Sequence, residues 1–178
     1  MGLSPLGIVH TLISLVAVAS GIVALVRYKR IDPATTVAKL YIVTTLLTAL
    51  TAFGLHRHGF GPGHVLAILT LVVIGIAMLA QRTTLFGASW RGVQTFCYSI
   101  TLLFHAIPAV TETSTRFPQG APLASSPDAL GLRLTTFALV AVFGIAVTLQ
   151  LRYFHKRWPR DDHHTSSAPP AIQAGRAR

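Results

Sequence analysis

Four histidines could do chemistry together if the chain brings them to one level. His10 and His105 lie inside long apolar runs, while His56 and His64 bracket the turn His56-Arg57-His58-Gly59-Phe60-Gly61-Pro62-Gly63-His64. Glu112 follows His105 by two helical turns on the same stripe, and Tyr98 precedes it by two. Neutral imidazoles with a carboxylate are a competent ligand set for a divalent transition metal such as Zn, Cu, Ni or Fe. Two imidazoles alone suffice for a b-type haem, whose macrocycle supplies the other ligands. A quinone held by Tyr98 or His105 is a third reading. Ionisable groups inside a membrane are costly to place and commonly functional. By contrast, His58, His155, His163 and His164 read as interfacial or tail residues that hydrogen-bond headgroups or loop carbonyls.

These residues sit in a membrane-type framework. Only 11% of the 178 residues are charged and 52% are hydrophobic, with a mean hydropathy of +0.59. A soluble domain carries about a quarter charged residues. Five apolar stretches approach the about 20 residues needed to cross a bilayer. They run over Pro5–Val26, Ala34–Leu55, His64–Ala80, Val93–Thr111 and Leu130–Leu151. The expected fold is therefore all-α, a five-span bundle over residues 1–151 with a basic, Ser/Ala/Pro-rich tail over 152–178. The single cysteine, Cys97, excludes an intrachain disulfide and a cysteine-based metal cluster.

The net charge of +10 is a topology signal and does not point to nucleic acid. One side collects Arg27, Lys29, Arg30, Lys39, Arg82, Arg91, Arg152, Lys156, Arg157, Arg160, Arg176 and Arg178; the other holds only Arg57, Arg116 and Arg133. Basic flanks stay cytoplasmic, which predicts N-out and C-in, with anionic lipid as the partner of the basic side. Nothing basic precedes the first apolar run, which therefore reads as a retained anchor despite the small residues Ala17-Val18-Ala19.

Helical spacing orients the spans. Gly7, His10, Ser14, Ala17, Gly21 and Ala24 fall on one face of span 1, the small-residue face through which membrane helices approach. Tyr41, Thr45, Thr48, Ala52 and His56 share a face of span 2, and Gln94, Tyr98, Thr101, His105, Pro108 and Glu112 one of span 4. Span 3 looks short and featureless, with Gly75 as its packing notch. Pro108 should kink span 4 or free a carbonyl near residue 104. Span 1 enters from the outside and span 4 leaves toward it. His10 is then about 7 Å below the outer boundary and His105 about 10 Å, at 1.5 Å per residue. A shared site in the outer third follows. The connection Thr113–Asp128 is long enough either to cap that mouth or to act as a linker. Arg133 is placed to snorkel or to pair with Glu112 or Asp128.

The segments Gly7-Ile8-Val9-His10-Thr11-Leu12, Thr44-Thr45-Leu46-Leu47-Thr48, Gly61-Pro62-Gly63-His64-Val65-Leu66 and Phe104-His105-Ala106-Ile107-Pro108 resemble, in layout, small predicted bacterial inner-membrane proteins of unknown function. The resemblance spans about the first 150 residues. It implies a bacterial inner-membrane location and recurrent intramembrane histidines, and it implies no activity. An accessory or assembly subunit of a membrane complex, joined to a second copy or another membrane protein, is the alternative in which the histidines are structural.

Overall fold

The computed structural model describes residues 4–55, 59–118 and 120–157. Five α-helices run in the order α1 Pro5–Tyr28, α2 Thr36–Ala52, α3 Pro62–Arg82, α4 Trp90–Arg116 and α5 Leu130–His155. A single 3-10 turn, Gly87–Ser89, leads into α4. Local chemistry explains the starts and stops. Ser4 caps α1 through its hydroxyl, with Pro5 in the first turn, and Thr35 caps α2 in the same way. Lys29 ends α1 in the left-handed region at φ 61, where a non-glycine residue is uncommon.

Four of the helices, α1, α3, α4 and α5, are long and apolar enough to cross a membrane. The short one is α2, with 17 residues, and not α3, which has 21. The sequence expectation reversed the two because the helix of α3 begins at Pro62, before His64. Proline in a first turn lacks only an N–H that would be unpaired there anyway.

Helices α1, α2, α3 and α4 close a ring in which each packs on the next and α4 returns to α1. Helix α5 packs on the outside of α4. It buries only Leu132 and Val147. Two hydrogen bonds tie it down: Gln150 accepts from Ser99 Oγ at 3.0 Å and donates to the Lys29 carbonyl at 2.7 Å. A satisfied amide of this kind locks position where apolar packing against lipid-like surface contributes little.

The interior of the ring is built of small and hydroxyl residues, and the large aliphatics point outward. Ala17, Ala24, Ala38, Tyr41, Thr45, Ala77 and Thr101 are buried, while Leu12, Leu15, Val26, Leu50 and Val72 are exposed. That is the arrangement expected where lipid, and not water, surrounds the protein. The small-residue face of α1 packs as its spacing predicts: Gly7, Ala17, Gly21 and Ala24 are all buried. A Cβ on Gly21 would stand 2.8 Å from the Tyr41 ring and 2.9 Å from Leu102. Gly75 plays no such part, since nothing lies within 4 Å of where its Cβ would be. The packing face of α3 is instead His64, Ala67, Thr70, Ile74, Ala77 and Ala80, a stripe at helical spacing hidden in an evenly apolar sequence.

Helix α4 continues through Pro108 to Arg116, so the proline does not end it. The following loop folds back on the helix end: the Ala124 N–H donates to the Ser114 carbonyl at 2.9 Å and the Leu123 N–H to the Phe117 carbonyl at 3.2 Å. These bonds anchor the segment to the end of α4.

Candidate functional site

The two polar stripes of α2 and α4 meet at the middle of the ring. The Tyr41 hydroxyl lies 2.5 Å from Thr101 Oγ1, and Thr101 Oγ1 donates to the Tyr98 carbonyl at 2.8 Å. With its own proton so placed, Thr101 accepts from Tyr41. Both residues are fully buried, at 0% exposure each. One turn further along the two helices stand Thr45 and His105. The rings of Tyr41 and His105 are 6.4 Å apart.

His105 is positioned through its own helix. Its Nδ1 lies 2.8 Å from the Thr101 carbonyl oxygen. A carbonyl can only accept, so Nδ1 carries the proton and Nε2 is a bare lone pair. That Nε2 is buried with no hydrogen-bond partner among the described residues, and the same is true of Thr45 Oγ1. Buried polar groups are nearly always partnered, and at membrane depth an unpartnered one is more costly still.

His10 arrives at the same tautomer by another route. Its Nδ1 lies 2.9 Å from Thr51 Oγ1 on α2. The Thr51 hydroxyl is committed to backbone, 2.9 Å from the Leu47 carbonyl and 3.0 Å from that of Thr48. The imidazole must therefore donate from Nδ1, which leaves its Nε2 unprotonated. Each imidazole, one on α1 and one on α4, is thus oriented by a hydrogen bond from Nδ1 and keeps a lone pair on Nε2. This outer bond is the device that orients metal-ligating histidines generally.

Of the other expected ligands, His64 and Glu112 are engaged elsewhere. Among the described residues no three His, Cys, Asp or Glu side chains converge to hold a metal ion. His64 is spent on a helix start: its Nδ1 accepts from the Gly61 N–H at 3.2 Å, and its ring stacks on Phe60 at 5.3 Å. Helical rise shows the separation in level. Gln81 of α3 meets Gln94 of α4 at 2.9 Å. From that contact His64 lies roughly 26 Å up α3, and His105 only roughly 17 Å up α4, at about 1.5 Å per residue. Glu112 is exposed and ion-paired with Arg116 one turn on, at 2.5 Å. It pairs with neither a metal site nor Arg133. Tyr98 is buried, and its carbonyl accepts from Thr101 Oγ1 at 2.8 Å. Its carbonyl, and not its hydroxyl, reaches the seam. His56 and His58 lie outside the described residues, as do His163 and His164.

Of the positioning residues, Thr51 lies off the α2 stripe, whereas spacing put Tyr41 and Thr101 on the two stripes without pairing them. Their signal was present in the two stripes, which run in the same direction along helices two apart in the ring. What the fold and seam define is a polytopic helical membrane protein with a polar, imidazole-bearing interior. No protein-family model matches the chain, no curated protein matches its sequence, and no solved structure matches its fold.

Proposed function

We propose that this chain is a multi-pass protein of a bacterial inner membrane, with five spans, N-out and C-in. Its histidine pair would hold a b-type haem between α1 and α4, with His10 and His105 as axial ligands. The observation that carries the reading is the shared tautomer: both Nδ1–H groups are donated to helix acceptors, and both Nε2 lone pairs are left. Ligand number chooses among cofactors. A structural or catalytic zinc takes three or four protein ligands, and among the described residues no three His, Cys, Asp or Glu side chains converge. Haem needs only two from the protein. A haem held by both histidines would supply one-electron transfer.

The five-span arrangement is supported by the charge bias of twelve Lys and Arg on one side against three on the other. Although α2 is short, Phe53, Gly54 and Leu55 extend its apolar run, and the bilayer accommodates a short span by local thinning at modest cost. The exposed apolar surface of α5 faces lipid, or a second membrane protein where the chain works within a complex.

One visible spectrum of the purified protein from haem-replete cells tests the cofactor. A stoichiometric haem band that is lost in both His10→Ala and His105→Ala, and kept in His58→Ala, is the expected result. A colourless preparation would overturn it in favour of an accessory subunit with structural histidines. Reporter fusions after Gly59 and at Arg178 test the topology, with the periplasm expected for the first and the cytoplasm for the second.

A further inference from the structure

The seam between α2 and α4 carries two buried polar atoms that the helices leave without a partner. Thr45 is 0% exposed and His105 7%, and neither Thr45 Oγ1 nor His105 Nε2 has a hydrogen-bond partner among the described residues. We infer that one internal water molecule is bound between them, accepting from Thr45 and donating to His105.

Thr45 departs from the habit of its helix. Thr44 Oγ1 donates back to the Leu40 carbonyl at 2.7 Å, Thr48 Oγ1 to that of Thr44 at 2.8 Å and Thr51 Oγ1 to that of Leu47 at 2.9 Å. Such back-bonding by one turn is the common outlet for a threonine inside a helix. The equivalent acceptor for Thr45 is the Tyr41 carbonyl, which already takes a bond from Thr44 Oγ1 at 3.1 Å. The Thr45 hydroxyl thus stays uncommitted on the face of α2 that meets α4.

His105 supplies the complementary group. Its Nδ1 proton goes to the Thr101 carbonyl at 2.8 Å, so Nε2 can only accept. A partner shared by the two must accept from Thr45 and donate to His105, and water does both through one atom. Register brings the side chains to one level. Helices α2 and α4 run in the same direction, and Tyr41 touches Thr101 one turn before Thr45 and His105. At the first level the whole length of a tyrosine spans the seam. At the second the α2 side chain is a short threonine, which leaves an interval of small-molecule size.

The Tyr41 ring borders that interval, 6.4 Å from the His105 ring. Its phenol proton is spent on Thr101, so the phenol oxygen can still accept. Thr45 then gives its proton to the water, which gives one to His105 and the other to Tyr41. Three partners for one molecule is the usual complement of a buried water. A dry seam would instead hold two unsatisfied polar groups at membrane depth, which is destabilising. His105 can give its lone pair to water or to a haem iron but not to both. The inference therefore describes the haem-free chain and does not rest on the haem reading.

The test uses the full chain prepared without haem in detergent micelles, with isotopically labelled histidine for NMR and thermal unfolding as a second readout. A cross-peak between a slowly exchanging water and the His105 ring is expected, with the Nε2 resonance at the position of a hydrogen-bonded lone pair. In Thr45→Val, which exchanges the hydroxyl for a methyl, the cross-peak should be lost and Nε2 should shift toward the position of a bare imidazole. The unfolding midpoint should fall by about 2–4 °C. Thr48→Val, at a hydroxyl bonded within its own helix, should leave the His105 signals unmoved. An unchanged or higher midpoint in Thr45→Val would overturn the inference, because replacing an orphan hydroxyl by a methyl relieves a dry seam. A parent protein without the water cross-peak would overturn it equally, and that measurement stands even where Thr45→Val folds poorly. None of these readouts needs haem, so failure here leaves the spectrum of the haem-loaded protein, and the reading drawn from it, unaffected.

Discussion

Tyr41 and Thr101 meet hydroxyl to hydroxyl at 2.5 Å across the centre of the four-helix ring. Their helices are not neighbours in it. The long tyrosine side chain bridges a gap that two backbones leave open, and the same gap receives His105 one turn further on. Packing and site therefore share a residue.

Removing that bridge should be measurable. Tyr41→Phe and Thr101→Ala each destabilise the fold, and a double-mutant cycle of unfolding free energies in mixed micelles should give a coupling near the about 0.6 kcal/mol usual for hydrogen bonds between membrane helices, with about 1.7 as a ceiling. A coupling of zero would mean that each hydroxyl simply bonds its own helix.

Gly21 is predicted to be intolerant where Gly75 is not. Gly21→Ala places a methyl 2.8 Å from the buried Tyr41 ring, and overpacking of this kind costs about 1–3 kcal/mol. Gly75→Ala meets nothing within 4 Å and gains helix propensity. Thermal unfolding should lower the midpoint of the first variant and leave the second level or slightly raised.

Thr51 should tune the site without touching its occupant. Thr51→Val removes the acceptor for the His10 Nδ1–H and unlocks both ring orientation and tautomer. Loss of such an outer partner lowers metal affinity by about 10- to 100-fold. The haem should then be retained more weakly and its reduction potential shifted, whereas Thr44→Val, at a hydroxyl bonded within its own helix, should move neither.

Gln150 is expected to decide whether α5 stays docked. It joins α5 both to Ser99 of α4 and to the carbonyl of Lys29 after α1, while the helix buries only Leu132 and Val147. In Gln150→Leu both bonds are lost, and protease cleavage in the loop after α4 should quicken several-fold. An unchanged rate would show that apolar contact alone holds the helix.

Hydropathy and spacing determined much of this protein. Length and apolarity placed all five helices, because a backbone in lipid must satisfy its hydrogen bonds within each segment, and that constraint is written into every stretch of about 20 residues. The small face of α1 and the polar stripes of α2 and α4 were legible for the same reason, since a helix of 3.6 residues per turn sorts its faces locally. Tertiary structure decided what those faces meet. No local pattern states that Tyr41 reaches Thr101, that Gly21 lies under Tyr41, or that His64 turns back to cap its own helix. Shared depth is a one-dimensional quantity, whereas ligation requires convergence in three, and among the described residues no three His, Cys, Asp or Glu side chains converge. Glu112 sits on the stripe of His105, yet two turns on it has left the bundle and pairs with Arg116 at the surface. Thr51 on α2 and the Thr101 carbonyl on α4 each fix one imidazole by its Nδ1, and neither contact is legible in the local pattern.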